Sequence, residues 1–426
     1  MKNAKRVVVT GMGIVAPNAH GLAEYADALY QGVSGIRRIE RLRELDFACN
    51  VGGVPESVLS LCCDYFNENE LSGMNEGITY GLIAAIDAFR DAGFMIPAMG
   101  DDFVYEDTGA VIGTGIGGMD TFGNVVCPRV AGGKIRRLGS TIVEKVMASG
   151  VSAKVGGKLA LGNQVTTNSS ACGTGCESII MGAERIKFGL AKRMIVGGAE
   201  GSDPFIWCGF DAMKVLCRRY NDTPQAASRP MSASAAGFVP GSGAGILVLE
   251  ELETALERGA RIYAEILGGF ICSGGMRHGG SMTAPSPMGV QRCIRGAVMD
   301  AGIKPHEIDY INGHLTATMA DTMELLNWSK ALGTNPSDFP MVNSTKSMIG
   351  HGLGASGAME SVATILQMDR GFVHKSLNCE DLHPDLEQFA GSIPHESITR
   401  DIKIAAKASF GFGDVNSCLI LAKWRH

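Results

Sequence analysis

The sequence predicts an α/β fold built from two related halves, and three observations lead there. Short β-branched segments alternate with longer stretches of helical periodicity. Glycine is abundant, 57 of 426 residues against a typical share of about 7%, and falls between well-formed hydrophobic segments rather than in low-complexity runs. After the charged, helix-like stretch ELETALERG at 251–259, the order of motifs begins again.

Strands are read at RVVVTG (6–11), DTGAVIGTG (107–115), RMIVGGAE (193–200) and GAGILVLE (243–250). Between the second and third, Val165, Thr166 and Thr167 run into SSACGTG, and Ile179, Ile180, Ala183, Ile186 and Leu190 follow at helical spacing. A strand, a Gly-lined turn and a helix start are thus predicted around Cys172. The second half opens with RIYAEILGG (261–269), and its counterpart turn is VNSTKSMIGHGLGASGAMESVATILQM (342–368). Each half closes with a Gly-rich turn into a strand, GSGAGILVLEE and FGFGDVNSCLILAKW. The halves are placed at 1–258 and 259–426.

Composition excludes several function classes. With 38 basic and 44 acidic residues, the net charge of −6 lacks the cationic surface that nucleic acid binding needs. No apolar run reaches bilayer length and MKNAKRVVVTGMG lacks a cleavable signal pattern, so a cytoplasmic protein without membrane contact is expected. The twelve cysteines show neither CxxC pairs nor clustering with histidine, so reduced thiols and no metal site are expected. GMGIVA (11–16) and GTGIGG (113–118) fit a dinucleotide-binding spacing, but the first runs into Pro17 and neither is followed by the required acid, so no such cofactor is assigned.

Cys172 stands where a helix N-terminus favours thiolate over thiol, which makes it either a nucleophile or a buried core thiol; Cys176, one turn on, reads as a small hydrophobe. Most of the nine histidines, such as His20, His383 and His426, sit in solvated contexts, whereas His314 follows the strand IDYING and His351 lies five residues after Lys346 in a Gly-rich turn. Equivalent turns of a duplicated unit tend to converge on one pocket, which brings Cys172, His314, Lys346 and His351 together.

These motifs resemble the β-ketoacyl-[acyl carrier protein] synthases of the thiolase superfamily nearly end to end. SSACGTG resembles the nucleophile loop, GHLTAT the first histidine motif, NSTKSMIGHGLGASGAMES the lysine and second histidine motif, and SFGFGDVN the closing glycine motif. MASGVSA, FDAMKVLCRRYNDTPQAASRP and MTAPSP are most similar to the synthase I branch. The resemblance implies a thiolase-like fold in five αβαβα layers and a decarboxylative condensation. Cys172 would carry the acyl group, and His314 and His351, both neutral, would meet the oxyanion of decarboxylation. Lys346 would hold the His314 region, and the backbone N–H groups of Cys172 and Phe412 would meet the acyl oxyanion. Thr316 and Thr318 match hydroxyls that bind the pantetheine arm, although turn capping also explains them. Phe412 matches a gating aromatic, Glu360 matches an acid behind the second histidine and is grouped with the substrate-binding residues, and Ile116, Phe205 and Phe412 mark the acyl pocket. No bound cofactor is implied, since substrates arrive on the phosphopantetheine arm of an acyl carrier protein.

An acidic carrier gives the run Lys134, Arg136 and Arg137 a role as docking face, and the resemblance implies a homodimer. Two motifs depart from the family pattern. HLTATMAD places Leu315 where glycine is usual, and GFGDVN places Asp414 where the family's closing motif, GFGGTN, has its third glycine and where a carboxylate must turn away or find a partner. An unusual acyl chain is one expectation from these departures; a silent, chain-length-shaping subunit of a heterodimer is the other.

Overall fold

Ten strands carry the architecture of the computed structural model, which describes residues 4–98 and 100–425, side chains 57–59 apart; His426 lies outside them. In the first half these are β1 (Val7–Ala16), β2 (Thr108–Gly113), β3 (Val165–Thr166), β4 (Arg193–Glu200) and β5 (Gly243–Glu251). In the second they are β6 (Ala264–Ser273), β7 (Tyr310–Asn312), β8 (Met341–Asn343), β9 (Ile404–Gly411) and β10 (Val415–Lys423).

Sheet order shows the duplication more clearly than sequence does. The first half runs β3-β2-β4-β5-β1 and the second β8-β7-β9-β10-β6, the same order in corresponding positions. Strand directions match as well: the first two pairings of each half are parallel and the last two antiparallel. The halves join where β1 pairs antiparallel with β6 through Val7, Val8 and Val9.

Helices fill three layers around these sheets. On the outer face of the first half, α1 (Glu76–Asp91) packs on β1 and β5, where Gly11 and Gly13 admit it; a Cβ at Gly13 would lie 1.9 Å from the Ala84 carbonyl. The glycines of GMGIVA therefore serve helix packing. Outside the second half, α3 (Pro287–Asp300) and α4 (Ala320–Leu332) pack together, with α3 on β6 and β10. Between the sheets run α2 (Thr174–Lys187) and α5 (Ser356–Arg370), each touching strands of both halves. The five layers are thus helix, sheet, helix, sheet, helix.

The two central helices are counterparts, and glycine lets them touch. A Cβ on Gly175 would come within 2.6 Å of Ala358 N, and one on Gly357 within 2.5 Å of Cys176 N. Cys176 is buried in this central core beside Ile179, Ile180 and Val362. Among the described residues no helix is long and apolar enough to cross a membrane.

Candidate active site

Each central helix begins with the same elbow. A single 3₁₀ turn, Ala171–Gly173 or Leu353–Ala355, precedes the helix, and its first residue is left-handed, with φ 48° at Ala171 and 46° at Leu353. Such φ values are uncommon for residues with a side chain and are held here by surrounding contacts. In the first elbow Thr174 Oγ1 accepts the Ser170 N–H at 2.7 Å and donates to the Ala171 carbonyl at 2.7 Å. The turn places Cys172, 6% exposed, on the wall of a cavity of about 740 Å³.

Both histidines of the second half meet Cys172 there. His314 follows β7, and His351 hangs from the chain at Val239–Gly241 by two backbone hydrogen bonds. The Cys172 sulfur and one nitrogen of each histidine lie within 4.8 Å of one another, and the imidazole rings cross nearly at right angles, 5.4 Å between centroids. His351 Nδ1 accepts the Leu353 N–H at 3.2 Å, with Ser356 Oγ at 2.9 Å. A backbone N–H can only donate, so the neutral ring carries its hydrogen on Nε2. Burial, followed by the charge of Lys346, holds both histidines well below the usual imidazole range, so both are neutral at physiological pH.

Burial also pushes the Cys172 thiol up to about 11, against the pull of the Phe412 N–H, the Lys346 charge and its own N–H. Desolvation outweighs these pulls, so the resting group is a thiol rather than the thiolate expected at a helix start. The same three residues satisfy the distances of a metal site. The positive charge behind the histidines opposes a dication there.

Lys346 is itself 1% exposed and points away from the cavity, its Nζ 2.5 Å from Glu360 Oε1. It therefore acts on the His314 region through charge rather than through a hydrogen bond to it. Glu360 is wholly buried behind the histidines and does not line the cavity, which corrects its placement among substrate-binding residues.

Thr316 and Thr318 do line the cavity, their hydroxyls 3.0 Å apart, on a loop held by two carboxylates that sequence reasoning did not single out as site residues. Asp321 accepts backbone N–H groups from Met231, Thr316, Ala317 and Thr318, and Glu324 accepts those of His314 and Leu315. Burial raises Asp321 to about 6 and Glu324 to about 7. These bonds support left-handed backbone at Leu315 and Ala317, φ 21° and 62°. The Leu315 side chain lies in the outer core of the second half, not on the cavity wall. It does not narrow the route to Cys172.

Asp414 also faces away from the cavity, as its charge required. Its carboxylate accepts the Ser286 N–H at 2.8 Å and the Met276 N–H at 3.0 Å, which ties down the loop at 274–286. That loop supplies His278, Thr283, Ala284 and Pro285 to the cavity wall. Phe412 lines the cavity next to Phe210, with ring centroids 6.0 Å apart.

Ile116 and Phe205 do not line this cavity. Ile116 packs among Trp207, Met119 and Phe210, and Phe205 is 44% exposed with its ring over Gly123. Ile116 donates its N–H to Glu200, a fully buried acid that also accepts from Thr114 Oγ1, Gly115 N and Gly354 N. This acid accounts for part of GTGIGG: Gly115 packs against Glu200 and Gly354 of the second elbow, while Gly113 packs against Thr174 beside the first. Lys134, Arg136 and Arg137 are exposed in a short turn, and His374, expected to be solvated like most histidines, is buried against Asn343 and Thr345.

Comparison with known proteins agrees with this geometry. The family description "Beta-ketoacyl synthase, N-terminal domain" matches residues 4–255, and "Beta-ketoacyl synthase, C-terminal domain" matches residues 263–380. The chain belongs to the β-ketoacyl synthase family. It is thus a carbon–carbon bond-forming acyltransferase of the thiolase superfamily.

The chain is 36% identical over 423 residues to 3-oxoacyl-[acyl-carrier-protein] synthase 2 of Vibrio harveyi, covering 98% of this chain and 99% of the relative. It is 34% identical over 422 residues to synthase 1 of Escherichia coli strain K12, with the same coverage. Synthases of both numbered types are thus matched nearly end to end at similar identity. A solved structure described as a type II PKS acyl-carrier protein in complex with its ketosynthase bound to the hexaketide matches 99% of this chain and 100% of that one, with TM-score 0.87 and 30% identity.

Proposed function

We propose that this synthase condenses an acyl group held on Cys172 with a malonyl group delivered by an acyl carrier protein. The supporting observation is the convergence of one thiol and two neutral imidazoles within 4.8 Å on a cavity of about 740 Å³. In the first step the Cys172 sulfur attacks the acyl thioester, the carbon–sulfur bond to the carrier breaks, and the thiol proton passes to the departing carrier sulfur. N–H groups of Cys172 and Phe412 meet the oxyanion of that step, consistent with their approach to Sγ. In the second step the malonyl carboxylate leaves as CO₂, and its bonding pair moves into an enolate whose oxygen is met by His314 and His351. The enolate carbon then attacks the Cys172 thioester and expels the thiolate.

Thr316 and Thr318, on the same wall, suit the amides of a pantetheine arm, and the exposed run Lys134, Arg136 and Arg137 suits an acidic carrier. Because Leu315 and Asp414 turn away from the cavity, a preference for an unusual acyl chain would rest on the other wall residues. A cytoplasmic dimer is the expected form.

Mass spectrometry of the purified protein incubated with octanoyl carrier, followed by malonyl carrier, tests the reading. An octanoyl adduct on Cys172 that disappears as a β-ketodecanoyl carrier forms is the expected result. No adduct with any acyl donor would instead assign the chain to the silent partner of a heterodimer. Full turnover on ordinary saturated chains would remove the specialised-chain expectation.

A further inference from the structure

Glu360 has two partners, not one. Lys407 on β9 is fully buried and places Nζ 2.8 Å from Glu360 Oε2, while Lys346 Nζ lies 2.5 Å from Oε1. Two ammonium groups therefore share one carboxylate at 0–1% exposure. The two lysines are held differently. Neither contact with Glu360 is an aligned hydrogen bond, but Lys407 Nζ donates to the Ala408 carbonyl and reaches Ser409 Oγ at 3.4 Å, whereas Lys346 Nζ has no aligned hydrogen-bond acceptor among the described residues. A buried cation with half a counterion is unfavourable on its own, so its retention calls for a negative charge nearby in the working enzyme. Glu324, the acid of α4 that acts on Lys346, is already engaged by the N–H groups of His314 and Leu315.

We propose that Lys407 is a positioning residue for the decarboxylation step: by holding one oxygen of Glu360, it leaves Lys346 undercompensated, so that a surplus positive charge stands behind His314 and His351. This rests on the decarboxylative reading above. When the malonyl carbon–carbon bond breaks, its electron pair ends on the thioester oxygen and no proton arrives to neutralise it. Two neutral imidazole donors polarised by a buried cation stabilise that oxygen more than the same donors alone. Both lysines act on both histidines. The oxyanion of acyl transfer forms instead at backbone N–H groups, so the two steps differ in their dependence on Lys407.

The charge on Lys346 gives a second signature. Lys346 is faced by Glu360 from α5, Lys407 from β9, Glu324 from α4, by the two imidazoles and by the Cys172 thiol, which its charge also reaches. Removing Lys407 lets Lys346 keep its proton to higher pH; removing Glu360 does the reverse.

The test uses the full-length protein, with CO₂ release from malonyl carrier as one probe and acylation of Cys172 by octanoyl carrier as the other. In K407M, CO₂ release should fall by about tenfold more than acylation, and its alkaline limb should move to higher pH; K407R should recover CO₂ release to within about threefold of wild type. E360Q should move the same limb to lower pH, which keeps the test decisive if K407M does not fold. Equal loss of both steps in K407M, or limbs that do not move in the two variants, overturns the inference while leaving the condensation intact. Absence of CO₂ release from wild type at every pH overturns the functional reading itself.

Discussion

Replacing Asp414 by glycine, the residue usual at this place in the family motif, should release the loop at 274–286. Asp414 sits in left-handed backbone with φ 58°, which glycine adopts freely, so the turn itself survives. What is lost to the loop is a pair of hydrogen bonds to a carboxylate, from Ser286 N at 2.8 Å and Met276 N at 3.0 Å, along with a longer one from Asn416 Nδ2 at 3.4 Å outside it. Bonds to a charged group contribute about 1.5–3 kcal/mol each, and Ser286 is buried, so the pair is worth about 3 kcal/mol at the low end. At about 1.4 kcal/mol per decade, local opening of the loop should rise by about a hundredfold. Hydrogen exchange read at the Met276 and Ser286 amides measures this directly. D414N keeps the backbone conformation and one acceptor, and should show about half the effect in free energy. Unchanged protection of both amides in D414G would refute the assignment of Asp414 as the anchor of that wall.

Alkylation of Cys172 by iodoacetamide should accelerate about tenfold per pH unit from pH 7 to 10, because a thiol raised to about 11 gains thiolate throughout that interval; a plateau below pH 8 would contradict it. R136E should weaken carrier-dependent turnover several-fold while leaving acylation by a small thioester unchanged, with KM for the carrier as the readout. G357A forces a methyl to within 2.5 Å of Cys176 N, so thermal unfolding should shift downward by the equivalent of about 1–3 kcal/mol.

The sequence revealed most where chemistry and backbone geometry coincide. The elbow at Cys172 was legible because a β-branched run, small residues and helical periodicity occur in succession, and the second elbow at Leu353–Ala355 because it repeats that order. The duplication, weak in residue identity, is unmistakable in strand order. Side-chain direction was not legible. Leu315 and Asp414 were identified as departures, but whether they narrow the cavity depends on which way a left-handed residue turns its Cβ, a property of the folded loop. Lys407 lies in a short alternating strand where a charged residue reads as solvent-facing, and both faces of β9 proved buried. Glu200 was hidden because it accepts backbone N–H groups from distant segments, and Asp321 and Glu324 because they accept those of the irregular loop before their own helix, with Met231 added from further away.

Gly354 occupies in the second elbow the place that Cys172 occupies in the first. A Cβ there would fall 2.4 Å from Gly115 N and 2.8 Å from a Glu200 oxygen, so no side chain, and hence no second nucleophile, can be installed without unmaking the packing behind the first. The duplicated scaffold is therefore confined to a stoichiometry of one covalently held chain per polypeptide, and any assembly of several copies counts its acyl groups by its subunits.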